Sequence, residues 1–428
     1  MAGQIAFFLV VGLIIFRGAS QFSAHRLHVA IVSSFAAVMY LLCLWVPAQF
    51  QASGMLESKI YRAGVASVPT ISEIDALSFF WSLELLVVLA AELVIVWICG
   101  TRSPRPDRRI KREWKKVALL LIFVGFAATV LFPASLESRA AEGQGLFVLL
   151  RTALVCGLAI VAYFDGFKSN LYRLALLGGT VYLILENVRS PLFVILIAYA
   201  AGLIGRGAIY KKRVVLSFAV ALILAVVSAT FMSEMRANIT RDEGRGVGEI
   251  VSELTNEPIV LAYGAGVDTL DGYRFSALIS EYEDARPSDL LSPVTTFIPR
   301  AIWPEKPRSI SVELSSKYLG YKASGQYLSP IGYLRLAVGS YVGALILFAI
   351  FFLAVVYLVL AVRRTFWLAI VLVVLFRFLL GGSAFDVYYG LVLLVVVWGG
   401  AVVYESIRFL NGGFRVQHSD SSVLTSRI

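Results

Sequence analysis

ALSFFWSLELLVVLAAELVIVWICGTRSPRPDRRIKREWKK, residues 76–116, decides the class of fold. An apolar run (76–99), interrupted only by Glu84 and Glu92 among charged residues, is long enough to cross a bilayer core. It stops at a basic block, RSPRPDRRIKREWKK (102–116), which carries eight Arg and Lys. Such a block cannot follow its helix into lipid, so it marks the cytoplasmic end of a transmembrane segment.

The same alternation repeats along the chain. Of 428 residues, 59% are hydrophobic and only 15% are charged, too few to clothe a soluble protein of this size. The apolar runs do not alternate as transmembrane strands do, so the expected fold is all-α and polytopic. Eleven spans are expected, at 2–16, 29–47, 76–99, 117–134, 146–164, 171–185, 191–205, 214–232, 331–361, 366–380 and 384–404.

Counting from the basic block puts Arg206, Lys211-Lys212-Arg213, Arg363-Arg364 and the tail from Glu405 on the cytoplasmic side as well. The net charge of +10 is thereby assigned to membrane orientation and not to nucleic acid, for which no basic, aromatic-interleaved stripe exists. The first apolar run ends at Gly18-Ala19-Ser20 as a signal peptide might. Arg17 follows that run instead of preceding it, so an uncleaved first helix with its N-terminus outside is expected. Cys43, Cys99 and Cys156 each fall in a span and lack CxxC spacing, which excludes a cysteine metal site or redox pair.

Residues 48–75 and 135–145 then lie outside, together with one long segment, 233–330. The organisation is therefore eight spans (1–232), the large outer loop (233–330), three more spans (331–404) and a cytoplasmic tail (405–428). The loop holds 14 acidic and 10 basic residues, and a connection of that length is a functional element. GEIVSELTNEPIVLAY and GYRFSALISEY space their apolar residues helically, so short helices lying over the membrane are expected there. No matched pair of Gly/Pro-broken spans suggests a transporter.

Ionisable residues within spans are costly and therefore informative. Arg151, Arg335, Arg377 and Asp386 all fall near outer span ends, and Glu186 to Arg189 forms a turn between two spans of about 15 residues. Those spans are only ~22 Å long against a ~30 Å core, so their turn sits at or below the outer boundary. Five segments thus bring charge to the depth of outer-leaflet headgroups. Arginine there suits a lipid phosphate, because its planar fork donates bidentately and stays charged. Salt bridging and snorkelling account for any one of these residues equally well. Glu84 and Glu92 lie about 80° apart on their helix. Glu92, deep in the span, is expected to pair inside the bundle, and Glu84 is a minor candidate.

Within the long loop, Ile298-Pro299-Arg300, Trp303-Pro304 and Lys306-Pro307 stand close together. This pattern resembles the "PR…W…KP" signature of the oligosaccharide-repeat-unit polymerases, the O-antigen polymerase (Wzy-type) family. Ser329-Pro330-Ile331-Gly332, with Gly339 and Gly343, is similar to the segment by which that family re-enters the membrane. The likeness covers about 50 residues plus the topology. Arg335 departs from it, standing where an aromatic or small polar residue is expected, so its role is inferred from position alone.

The resemblance implies an inner-membrane glycosyltransferase that moves a growing glycan from undecaprenyl pyrophosphate onto the next lipid-linked repeat unit, outside the cytoplasm. A flippase and a chain-length regulator are the partners it implies, besides membrane lipid. A pyrophosphate leaving group demands fixed positive charge and no acid. Arg189, Arg274 and Arg300 are the first candidates, with Lys306, Arg308, Arg335, Arg377 and Arg151 supporting. The acceptor hydroxyl needs a proton acceptor. His25, His28 and His418 are all expected in the cytoplasm, which disfavours the related ligases. The carboxylates Glu186, Asp386, Asp268 and Asp271 remain open for that role. No cofactor is expected and the chemistry is expected to be metal-independent.

Trp303 suits either a sugar face or an interfacial anchor. Tyr273, Tyr282, Tyr318, Tyr321 and Tyr327 add aromatic surface, and Pro299, Pro304 and Pro307 stiffen the strap that carries Arg300. A ligase-like transferase and a flippase or transporter of lipid-linked sugars are the alternative readings.

Overall fold

A computed structural model describes residues 1–56, 60, 66–101, 111–131, 145–164, 170–185, 190–241, 246–256, 258–291, 303, 305, 310–320, 328–361, 372, 373, 375 and 379. Among these residues every regular element is helical. Three of the described helices are long and apolar enough to cross a membrane: α1 (Ala2–Ser23), α2 (Ile31–Ala52) and α3 (Ile71–Cys99). Shorter apolar helices accompany them, and the whole is that of a membrane-spanning helical protein.

Helix α3 begins where Thr70, as N-cap, accepts a hydrogen bond from the Glu73 amide at 3.2 Å. It ends at Gly100, whose φ of 73° no β-carbon-bearing residue adopts cheaply. The span therefore starts five residues earlier than the hydropathy suggests, and α1 runs on past Phe16 to Ser23. The reason is the same at both ends. Polar residues there are paired within the bundle: Asp75 binds the Met1 amine at 2.7 Å, and Arg17 pairs with Glu92.

Those two ties fix directions. Residues 1 and 17 of α1 stand level with 75 and 92 of α3, so the two helices are parallel. Helix α2 runs between them the other way, with Ser33 at Glu92 and Tyr40 at Glu84. This is the alternation that three consecutive spans require. Within α2 the helix widens into a π-turn over Leu41–Trp45, just ahead of Pro47. Proline lacks the amide donor and its ring crowds the preceding turn, and the widening absorbs both effects.

Next along the chain come α4 (Lys111–Leu131), α5 (Gly145–Tyr163), α6 (Asn170–Leu185), α7 (Ser190–Gly205) and α8 (Lys212–Arg241). Helices α4 and α5 pack closely together, and α5 also packs on α7. Helix α8 continues nine residues beyond the span expected at 214–232.

The long segment contains α9 (Val247–Asn256), α10 (Pro258–Ile279) and α11 (Ile310–Leu319). Sequence spacing suggested two short helices lying over the membrane; instead the second half of one motif and the first part of the other form the single helix α10. Its middle packs into the helical bundle. Leu270 and Tyr273 are buried in the same core as Trp81, whose ring meets Tyr273 edge-on at 5.8 Å. Further along, Phe275 and Ile279 join a second core with Ile310, Leu314 and Leu336.

The span expected at 331–361 is two helices, α12 (Pro330–Val338) and α13 (Tyr341–Ala361). Gly339, at φ 76°, ends α12 and returns its amide to the Arg335 carbonyl at 2.8 Å. Hydropathy is continuous across this break, so a window average joins what the glycine separates. Helix α13 packs along α3. Of the spans expected at 366–380 and 384–404, the described residues are Leu372, Val373, Leu375 and Leu379, all helical and buried.

Candidate functional site

The buried polar groups gather around α3. Glu92 is enclosed near its C-terminal end, 1% exposed. Arg17 and the Ser33 hydroxyl donate to Glu92 Oε2, and the Val32 amide donates to Oε1 at 3.2 Å. Arg17 also donates to the Val29 carbonyl at 2.9 Å. A guanidinium and a carboxylate thus neutralise each other with their remaining valences filled, the condition under which a buried pair is tolerated. This is the pairing role expected for Glu92.

Two turns away, Glu84 is completely buried and has a different environment. Tyr40 donates to Oε2 at 2.6 Å, Tyr273 to Oε1 at 2.6 Å, and Tyr341 to Oε1 at 3.3 Å. No cation contacts it among the described residues. It opens on a small chamber lined by Met39, Tyr40, Cys43, Leu44, Thr269, Tyr273, Ser329, Pro330, Ile331 and Leu379, with room for about one water. The π-turn of α2 supplies one wall, α10 another, and the start of α12 the third.

Serine 329 anchors that third wall. It caps α12 by accepting from the Gly332 amide at 3.1 Å, and its hydroxyl meets Ser276 Oγ of α10 at 3.1 Å. Gly332 is required for this approach, because a β-carbon there would fall 2.0 Å from Ser276 Oγ. The Ser-Pro-Ile-Gly motif read as a membrane re-entry therefore folds as a capped helix start against α10.

Arg274, a first candidate for phosphate, is 3% exposed and already engaged. Its Nε and Nη2 reach Glu73 Oε1 at 3.0 and 2.8 Å, and Nη2 also reaches the Ser67 carbonyl at 2.9 Å. It ties α10 to the start of α3. Asp271 is buried and accepts from Gln51 Nε2 at 3.0 Å, a second tie from α10, this time to α2. Arg335 is half-buried on α12 and makes no ion pair among the described residues. It lies close enough to the Tyr341 hydroxyl to act on it electrostatically. Trp303 is 36% exposed.

Arg151 lies on α5 and Asp268 on α10, with both side chains outside the described residues. Arg300, Arg189, Glu186, Asp386, Lys306, Arg308 and Arg377 are wholly outside them.

The remaining polar network belongs to the long segment. Glu283 accepts from Lys317 at 2.5 Å, Tyr318 at 2.7 Å and Arg286 at 2.9 Å, and Arg286 also reaches Glu313 at 2.8 Å. The Lys317 hydrogen bond holds the Glu283 carboxyl below its ordinary range. Asp289 is pushed the other way, chiefly by burial. This network pins α11 to the end of α10, and the Arg286 amide bonds the Leu336 carbonyl at 3.1 Å, pinning both to α12.

Of the carboxylates left open from sequence only Asp271 has a described side chain, and Glu84, not Asp271, lines the chamber. Its tyrosine partners could not be read from the chain, since they lie 44, 189 and 257 residues away. The usable signal was the acidic residue itself at mid-span, which marks Glu84 and Glu92 alike and does not tell them apart.

Fold and site together define an all-helical membrane protein with a buried carboxylate chamber beneath a docked helical segment. Comparison with protein-family models, curated proteins and solved structures finds no match for this chain.

Proposed function

We propose that the protein is a polysaccharide polymerase of the O-antigen or exopolysaccharide type, set in a bacterial inner membrane. It transfers a growing glycan from undecaprenyl pyrophosphate to the next lipid-linked repeat unit on the outer face. The observation that carries this reading is the Pro299-Arg300, Trp303-Pro304, Lys306-Pro307 pattern, placed in the long segment just ahead of α11 in sequence. Two features of the structure support it. The segment's helices are tied into the bundle through Arg274, Asp271 and Ser276, and α12 carries Arg335 with no carboxylate partner among the described residues.

In this reading Arg300 and Arg335 meet the pyrophosphate, where negative charge develops as the glycosidic bond to the carrier breaks. Lys306, Arg308, Arg189, Arg377 and Arg151 add positive charge around it. Arg274 acts at a distance, by holding α10. The large loop and its docked helices lie outside the cytoplasm and the C-terminal tail inside.

The test is incubation of purified protein with a synthetic undecaprenyl-pyrophosphate repeat unit, resolving products on a gel. A ladder of lengths supports the polymerase. A single addition to a different acceptor identifies a ligase, and translocation without lengthening identifies a flippase. No lengthening of a verified native substrate overturns the proposal. Arg300→Ala and Arg335→Ala should each abolish the ladder in folded protein, whereas Arg300→Lys restores part of it, since a point charge lacks the bidentate fork.

A further inference from the structure

The Glu84 chamber has a chemistry of its own that glycan transfer does not use. Glu84 stands 13 residues from the start of α3 and 15 from its end, ~20 Å from either, so it is close to the centre of the span. An ionisable side chain at that depth needs a partner. Glu92, on the same helix, has Arg17.

Among the described residues, the groups facing Glu84 are Tyr40 and Cys43 from α2, Tyr273 from α10 and Tyr341 from α13, with Arg335 of α12 beyond Tyr341. None places a cation on the carboxylate. An uncompensated carboxylate in a low-dielectric site is most cheaply neutralised by a proton.

The partners are suited to both states. A phenol hydroxyl can donate or accept by rotation. Toward the anion, three hydroxyls donate, two of them at the 2.6 Å expected of charge-assisted bonds. Toward the acid, the carboxyl hydrogen turns into the chamber, where there is room for about one water. The reaction is simple: a carboxylate oxygen takes a proton from chamber water, and that water is re-protonated from outside. No other bond changes.

We propose that Glu84 is a proton-binding site, and that the proton it exchanges sets how tightly α10 and α12 close over the chamber. Tyr273 carries the signal, because it joins the carboxylate to α10, and α10 is joined to α12 through Ser276 and Ser329. The protonated acid leaves the chamber closed around its single water. The anion draws water in and parts the wall that α2 shares with α10. This inference does not depend on the glycan reading, and either can fail without the other.

Cys43 lines the chamber and is a free thiol, so it reports the opening directly. The protein, with Cys99 and Cys156 changed to Ser, is placed in lipid nanodiscs. Infrared difference spectra between acid and alkaline pH are recorded alongside the rate of Cys43 alkylation. The expected result is a carbonyl band of a buried carboxylic acid that disappears as pH rises and is absent from Glu84→Gln. Over the same pH interval, alkylation of Cys43 should accelerate severalfold relative to Glu84→Gln, which corrects for ionisation of the thiol itself.

Tyr273→Phe, which keeps the carboxylate, should retain the band and lose the pH-dependent step in labelling, so the test survives if Glu84→Gln misfolds. Absence of a titrating band overturns the proposal. So does a band that titrates while Cys43 labelling keeps a constant ratio to the control. A band that follows sodium concentration at fixed pH, and not pH, also overturns it in favour of a bound cation.

Discussion

Glu92 and Glu84 lie two turns apart on α3, both almost fully buried, and the protein treats them in opposite ways. Glu92 is matched by a guanidinium, a hydroxyl and a backbone amide, all from α1 and the start of α2. Among the described residues Glu84 receives only phenol hydroxyls, gathered from three helices that include one of the long segment. A fixed countercharge makes a permanent tie. A ring of neutral donors leaves the charge state free to change. The difference separates a structural carboxylate from one that can respond to its surroundings.

The comparison breaks most sharply at Arg17. Arg17→Ala leaves Glu92 buried without a countercharge and should cost ~3–5 kcal/mol, the usual penalty for removing one member of a buried pair. Thermal unfolding in detergent would read it as a large drop in Tm or loss of folded protein. Retention of wild-type stability would mean that Glu92 does not depend on this pair.

A more discriminating pair of variants is Glu92→Gln against Glu84→Gln. The first strands Arg17 and should approach the same penalty. The second strands no charge and keeps an acceptor for the tyrosines, so it should shift stability by about 1 kcal/mol or less. Equal losses in the two would remove the distinction drawn between them.

Tyr341→Phe removes the longest of the three bonds to Glu84 and should cost only ~0.5–1 kcal/mol, in line with interhelical hydrogen bonds in membranes. Tyr273→Phe should cost more, because its bond is short and ties the long segment to α3.

The smallest effect is expected outside the spans, and only in acid. Glu283 has its carboxyl lowered by the Lys317 hydrogen bond. A lowered carboxylate contributes stability that is fully present above the unfolded value, ~4.3, and is lost as pH falls through the folded one. Docking of α11 should therefore be flat near neutrality and weaken below about pH 4, by amide hydrogen exchange. Glu283→Gln should remove that dependence. A docking equilibrium that changes near neutral pH instead would point to another group.

How far the sequence led can be judged residue by residue. It gave the helical membrane class through runs such as 76–99, and it gave the expectation that Glu92 pairs inside the bundle, because composition and mid-span charge are local properties. Helix boundaries were less legible: α3 starts at Ile71 and α1 reaches Ser23 because Asp75 and Arg17 find partners elsewhere in the bundle. The break at Gly339 was hidden because hydropathy averages over side chains while the turn is a matter of backbone dihedral. Arg274 looked like a phosphate ligand because nothing nearby in sequence reveals Glu73, 201 residues away.

What the sequence determined by itself is therefore the solvent: an apolar chain with basic interruptions belongs in a bilayer, and no tertiary contact is needed to say so. Only the tertiary structure decided which buried carboxylate meets a countercharge among the described residues. Glu84 and Glu92 are the same residue type on the same helix. A countercharge is a matter of distance in space, and α1, α2, α10 and α13 supply it or withhold it according to how they pack.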